Sequence, residues 1–324
     1  MTLRVAIAGC GYWGPKVARA LASAGAEIRS ACDVDAERAR TVCRAFTTDA
    51  AAVLADPGVD AVVFATPPSV ERDLAVVGAL ATGKHVWVEK PLARSSMSAL
   101  AMQAEATRRK RVLFVDHTFC YHPAVRKARE IVQSGALGTL RYFTSERVNL
   151  GIIQSSVSVW WDLGPHDLSI FEYVTGCQIE AVRAMAACHA PSEQPSLAFI
   201  DLIAGPVVGH LTLGWTSPVK LRRTVFGGSD KTLVYDDLDR DGAIKVYDRA
   251  AVQGEDGRVG YREGDVWMPR IKAEEALAVA AREFLDCCAT GRIPLTDGSA
   301  GLRVCRVLEA VDRSVARNGE VVRV

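Results

Sequence analysis

Between residues 3 and 118, short apolar runs alternate with stretches whose apolar residues recur every three or four positions. LRVAIAG, EIRSACD, DAVVFA, KHVWVEKP and RVLFVDHT have the length and continuity of strands buried on both faces. The intervening VARALASAG, ERARTVCRAF, SVERDLAVVGALATG and SMSALAMQAEATRRK have helical spacing. This alternation predicts a parallel, doubly wound Rossmann sheet whose ligand lies beyond the carboxyl ends of its strands. From about residue 139 the pattern changes. TLRYFTSERVN, IEAVRAMAACHA (179–190), SLAFIDLIA, VVGHLTLGW, LRRTVFGG, KTLVYDD and AIKVYDR alternate or run apolar, with turns at GP, GGSD and DRDG. They predict a large, mostly antiparallel sheet, preceded by a helix at HPAVRKAREIVQSG and followed by helices near AEEALAVAAREFLDCC and GSAGLRVCRVLEAVDRSVARNG. The expected class is α/β, with a Rossmann domain over 1–118 and, over 119–324, a C-terminal α/β domain built on an open-faced sheet. Helices cover one face of that sheet and leave the other for a subunit or substrate.

The chain has 324 residues, 49% hydrophobic and 24% charged, which fits a folded two-domain protein. Lys plus Arg number 39 against 38 Asp plus Glu, a balance with no field for nucleic acid or anionic lipid. No apolar run reaches membrane-spanning length, and with a strand expected from residue 3 no signal peptide is expected before it. The nine cysteines show neither a C-x-x-C pair nor a His/Cys ligand spacing, so reduced thiols in a cytosol are expected and a metal site is not.

After the first strand comes GCGYWG, then a helix. Gly9, Gly11 and Gly14 fall where a tight turn, a close approach to pyrophosphate and helix-on-strand packing each exclude a side chain. The helix start turns free N–H groups toward the phosphates, and Tyr12 and Trp13 of the same loop join the expected cofactor contacts. Asp33 ends the second strand at the spacing of a carboxylate that accepts the ribose hydroxyls; it would repel a 2′-phosphate, favouring NAD, while Arg38 keeps NADP open. The plainer reading makes Asp33 a loop acid and Asp35 a helix cap. Thr66 and Pro67 end the third strand of the pattern, and Glu89, Lys90 and Pro91 the fourth. Lys90 is either half of an ion pair with Glu89 or a cation that polarises a substrate oxygen, its direction set by Pro91.

WDLGPHDLS, residues 161–169, sets Asp162 and His166 four apart around Gly164 and Pro165. Proline is best tolerated at the first helical position, so a helix is expected from Pro165 to Thr175, closed by Gly176. His166 and Asp167 would then lie in its first turn, where the helix dipole suits an anion and keeps imidazole neutral, with Asp162 folding back beside the ring. A core histidine and a turn acid remain the alternative.

GCGYWG, Asp33, EKP at 89–91 and D-x-G-x-H at 162–166 together resemble the Gfo/Idh/MocA family across nearly the whole chain. The resemblance implies an NAD(P) domain joined to an open-faced α/β domain, a sugar, sugar-nucleotide or cyclitol substrate bound in a cleft, and a homodimer or homotetramer built through the open sheet face. It implies Lys90, Asp162 and His166 as the catalytic trio. The wording around the glycine loop and around residue 165 resembles members from bacterial sugar-nucleotide and aminoglycoside-type pathways. TPPSVE departs from the usual T-P-N-x-x-H through Pro68 and Glu71, and DHTFCY carries His117 where an asparagine is usual. The expected chemistry is hydride exchange between nicotinamide and a ring carbinol carbon, with His166 as base, Asp162 supporting it and Lys90 stabilising the alkoxide. His117, Tyr121, Arg147, Asn149 and Trp161, with Trp160, are candidates to line the sugar site; Lys220, Arg222 and Arg223 fit a diphosphate or a charged strand edge. An NAD-bound non-catalytic sensor and an NAD-dependent glycoside hydrolase are the competing readings.

Overall fold

A computed structural model of the protein describes residues 2–189, 193–253 and 257–324; Ala190, the last residue of the strand expected over 179–190, lies outside them. The chain forms two compact units, Met1–Tyr121 with Glu274–Arg306, and His122–Ala273 with Val307–Val324. In chain order the first runs β1 (Arg4–Ala8), α1 (Gly14–Ser23), β2 (Glu27–Cys32), α2 (Ala36–Val42), β3 (Phe46–Thr47), α3 (Ala50–Ala55), β4 (Ala61–Phe64), α4 (Val70–Ala81), β5 (His85–Glu89), α5 (Ser96–Arg109) and β6 (Leu113–Asp116). Its sheet is parallel, in the order β3-β2-β1-β4-β5-β6. The apolar runs behave as expected of strands covered on both faces: Val5–Ile7, Ala61–Val63 and Val86–Val88 are fully buried. The strand order reverses between β1 and β4, and the crevice there is where a doubly wound sheet takes its ligand.

The second unit contributes α6 (Pro123–Gln133), β7 (Leu140–Leu150), α7 (Val159–Thr175), β8 (Ala181–Ala187), β9 (Leu197–Ala204), β10 (Val207–Gly214), β11 (Thr216–Gly228), β12 (Thr232–Asp236), β13 (Ile244–Gln253) and β14 (Val259–Trp267). Then follow α8 (Ala276–Thr290), α9 (Gly298–Ala316) and β15 (Val322–Arg323), the chain passing from the first unit to the second within α9. Nine strands lie in the order β14-β13-β12-β11-β7-β10-β9-β8-β15; β7 and β10 pair in parallel and the other described pairings are antiparallel. In β9, Ala198, Ile200, Leu202 and Ala204 are buried while Phe199, Asp201 and Ile203 face out, so one face is core and the other is open. Phe143 packs on Phe171 of α7 at 5.0 Å and on Phe226 at 5.3 Å, tying the helix to the covered face.

The α/β class and both sheets match the sequence pattern. The division of the chain differs from the expected 118/119 boundary, because residues 274–306 belong to the first compact unit. Phe284 of α8 meets Trp87 edge-on at 5.5 Å and Phe114 at 5.7 Å, inserting the helix into the Rossmann core. The short β3, α3 and β15 and the exposed β14 were not expected. Among the described residues no helix is long and apolar enough to cross a membrane, and all nine cysteines are free thiols.

Candidate functional site

The glycine loop follows β1 at the switch point. Gly9 has φ +94°, and a Cβ there would stand 2.7 Å from the Ala65 carbonyl carbon and the Thr66 Cγ2; one at Gly14 would stand 2.0 Å from the Gly9 carbonyl oxygen. Only glycine fits either position. At Gly11 nothing lies within 4 Å of a built Cβ, so the backbone is open to a ligand there. Helix α1 begins after Trp13 without a side-chain cap, and its opening N–H groups suit a pyrophosphate. Tyr12 and Trp13 are exposed, and the Lys16 ammonium sits 3.3 Å from the Tyr12 ring centroid. Asp33 accepts the Cys10 N–H at 2.7 Å and the Asp35 N–H at 3.0 Å, which fixes a carboxylate beside the loop. Asp35 caps α2 and pairs with Arg38 at 3.3 Å, so the arginine is already engaged with an acid. These features fit a dinucleotide with free ribose hydroxyls.

Thr66 and Pro67 follow β4, over Gly9. At the end of β5, Glu89 lies beside Asp116 of β6 in register, both buried. Burial pushes the Glu89 carboxyl well above the usual range, and the Asp116 charge adds to the shift; burial raises Asp116 too, against the Thr118 hydroxyl that donates to it at 2.6 Å. Lys90 is half-buried, and its peptide bond to Pro91 is cis. His117 is buried, and neither ring nitrogen has a hydrogen-bond partner among the described residues. Burial, then the nearby Lys90 charge, pushes its imidazole down to about 3. Tyr121 is in the core, stacked on Phe114, its hydroxyl 3.0 Å from that of Thr296.

Helix α7 begins at Val159 rather than Pro165 and runs through the proline to Thr175, closed by Gly176 in the left-handed region. An interior proline costs about 3 kcal/mol. Burial of Trp160, Leu168, Ile170, Phe171 and Val174 offsets that cost, at roughly 1.5–3 kcal/mol for each large apolar side chain. The first turn is also fastened by its tandem indoles: Trp160 and Trp161 donate to Asp312 of α9 at 2.7 and 2.9 Å. The correction changes the chemistry. Asp162 and His166 lie one turn apart on one continuous helix, which puts them on a common face. His166 stands beyond the first turn, so the helix-end argument for its neutrality does not apply. Asp162 Oδ2 accepts the indole N–H of Trp215 at 3.1 Å. Asp167 is not a helix-end anion either. It is fully buried and holds Arg147 through two bonds of 2.8 and 3.0 Å, and it accepts the Ser145 hydroxyl at 2.9 Å.

Of the residues expected around a sugar, Arg147 is thus engaged inside the second unit and Tyr121 inside the first. Trp161 keeps a half-exposed ring with its N–H directed to Asp312, and Asn149 is half-buried on β7. Arg222 and Arg223 pair with Asp237 and Asp236 at 3.1 and 3.5 Å, and Lys220 is exposed. Trp215, Asp312 and Asp116 were not singled out from sequence. Trp215 closes an apolar strand pattern and Asp312 sits inside a helical one, and neither pattern carries a functional signal. Among the described residues no grouping of His, Cys, Asp and Glu has a metal-holding arrangement.

A glycine cradle at the switch point of a 3-2-1-4-5-6 sheet, in a chain that also carries a nine-stranded mixed sheet, defines a two-domain nicotinamide-nucleotide oxidoreductase. Residues 3–117 match the oxidoreductase family with NAD-binding Rossmann fold, and residues 125–234 match the GFO/IDH/MocA C-terminal domain. The chain is 30% identical over 309 residues to UDP-N-acetylglucosamine 3-dehydrogenase of Acidithiobacillus ferrooxidans, covering 93% of itself and 94% of that protein. A solved structure of UDP-N-acetylglucosamine 3-dehydrogenase from the same organism aligns with a TM-score of 0.83 at 26% identity, over 98% of this chain and 99% of that one. Scyllo-inositol 2-dehydrogenase (NAD(+)) of Bacillus subtilis is 29% identical over 56% of each chain. GenD2 from gentamicin A biosynthesis, in complex with NAD, shares the fold at a TM-score of 0.84 and 23% identity, over 100% of this chain and 96% of that one. The chain belongs to the Gfo/Idh/MocA oxidoreductase family, and its N-terminal domain binds NAD.

Proposed function

We propose that the protein oxidises a ring hydroxyl of a sugar, sugar nucleotide or cyclitol with NAD, or reduces the matching ketone. The observation that carries this reading is the placement of Asp162 and His166 one turn apart on α7, with the Asp162 carboxylate held by Trp215. Bound NAD supplies the hydride acceptor at C4 of its nicotinamide. In the oxidative direction His166 takes the hydroxyl proton as the carbinol C–H bond breaks, Asp162 supports the resulting imidazolium, and the Lys90 ammonium stabilises negative charge on the oxygen. Proton transfer of this kind contributes roughly 10²–10⁴-fold. Asp33 favours NAD over NADP by charge, since Arg38 is paired with Asp35. Asn149 and the Trp161 ring are the sugar-facing candidates, while the buried His117, Arg147 and Tyr121 lie within their own units.

The names of the relatives support the substrate class. A homodimer or homotetramer through the outer face of the second unit's sheet is part of the proposal. Exposed Met185, Phe199, Ile203 and Val208 lie there among Arg183, Asp201 and His210, a mixture that suits a self-complementary contact. Nine free thiols support a reducing, cytoplasmic setting. The test is a panel of free sugars, inositols and sugar nucleotides with NAD and NADP, following absorbance of the reduced cofactor. Turnover with NAD that His166→Ala and Lys90→Met each abolish supports the assignment; near-wild-type turnover in both variants refutes it. Cleavage of a glycoside without net NADH indicates the hydrolase, and NAD binding without turnover the sensor.

A further inference from the structure

Lys90 follows Glu89, the last residue of the buried strand β5, and opens a turn. A side chain from the neighbouring helix grips that turn. Arg72 of α4 is 3% exposed, and its guanidinium donates to the carbonyl of Glu89 at 3.4 Å, of Pro91 at 2.9 Å and of Leu92 at 3.1 Å. It therefore grips the backbone on both sides of Lys90. Asp73, also buried, stands 3.5 Å from the same guanidinium, and its second carboxylate oxygen accepts the Arg94 N–H at 3.3 Å, extending the brace along 89–94. A buried arginine is expensive to desolvate and is retained where its planar fork meets several acceptors at once.

We infer that Arg72 is a positioning residue for Lys90, fixing the turn from which its ammonium reaches the substrate oxygen. The inference rests on the reading of Lys90 given above. Arg72 touches neither substrate nor cofactor in this account; it acts through the three carbonyls. A misplacement of about 1 Å at a reacting group costs on the order of a hundredfold in rate.

The experiment compares Arg72→Met, Arg72→Lys, Lys90→Met and the Arg72→Met/Lys90→Met pair as full-length, NAD-saturated enzyme, on the panel substrate that the wild type oxidises. Arg72→Met is expected to lower kcat on the order of tenfold to a hundredfold with the KM for NAD little changed. Arg72→Lys recovers part of the rate, because an ammonium reaches fewer of the three carbonyls, and it carries the comparison if the methionine variant fails to fold. Added to Lys90→Met, Arg72→Met should cost nothing more. Losses that multiply in the double variant overturn the proposal while leaving Lys90 intact as a catalytic group; a fully active Lys90→Met removes the reading of Lys90 instead. A readout free of turnover uses reductively ¹³C-methylated protein with bound NAD. The Lys90 resonance, identified by its loss in Lys90→Met, should move in Arg72→Met while that of the exposed Lys220 stays. An unmoved Lys90 resonance overturns the proposal.

Discussion

Replacing Arg147 by methionine removes the partner of a carboxylate that has no access to water. Asp167 is fully buried and Arg147 is 5% exposed, with two short bonds between them. After the substitution the Ser145 hydroxyl still donates to Asp167, but residue 147 no longer supplies a cation. Breaking a buried pair on one side costs about 3–5 kcal/mol, whereas replacing both partners by apolar groups is often neutral or better. For a folded body of 150–250 residues each kcal/mol moves the Tm by about 2–4 °C, so Arg147→Met should lower it by roughly 6–20 °C. Arg147→Met/Asp167→Leu should recover most of that loss. Urea unfolding followed by tryptophan fluorescence, beside a thermal melt at pH 7.5, measures both. A single variant that loses less than about 1 kcal/mol, the range of an exposed pair, refutes the reasoning. So does a double variant that loses as much as the two singles together. The same double variant separates two roles for Arg147. A sugar KM close to wild type leaves the arginine as an internal brace, and a raised KM with unchanged kcat returns it to the sugar site.

Gly14→Ala forces a methyl to within 2.0 Å of the Gly9 carbonyl and should abolish NAD binding in calorimetry, with the second unit still folded; retained affinity refutes the cradle. Trp215→Phe leaves the Asp162 carboxylate without its indole donor and should lower kcat on the order of tenfold, with a loss of Tm from the cavity it opens in the core; unchanged kcat means that the contact does not matter to the reaction. Burial, with the Arg111 charge, pushes His85 down to about 4, so between that value and the ordinary 6.5 the unfolded chain binds protons that the folded chain does not. Its contribution to stability is therefore intact above pH 6.5 and declines as pH falls toward 4. Urea titrations at pH 7.5, 6.0 and 4.5 should show the His85→Gln variant losing less stability with acid than the wild type; equal losses contradict the assignment.

What was legible in the sequence was local. The glycine loop, Asp33 and the carboxyl-end positions of Thr66 and Glu89 follow from runs a few residues long, because close approach and strand burial constrain neighbours. The start of α7 was misplaced because the proline rule is also local, while the helix is held open to its full length by Asp312, some 150 residues away in the chain. Arg147 reads as a guanidinium donor for a sugar, and only the fold reveals that Asp167 takes it. Arg72 lies in an ordinary helical pattern whose contact with 89–92 comes from the packing of α4 beside β5. Strand β14 is exposed nearly throughout and has no apolar alternation to betray it. Residues 274–306 joined the first unit through Phe284, a long-range contact that periodicity cannot express.

The most direct measurement follows the hydride itself. UDP-N-acetylglucosamine, myo-inositol and the other panel members, deuterated on their ring carbons, are incubated with the enzyme and NAD, and the nicotinamide is analysed by mass spectrometry. The account predicts that at least one of them transfers a deuteride, leaving a single deuterium on the reduced cofactor, and that His166→Ala and Lys90→Met each suppress the transfer. Reduced cofactor without label, or label transferred equally by the wild type and both variants, would contradict it.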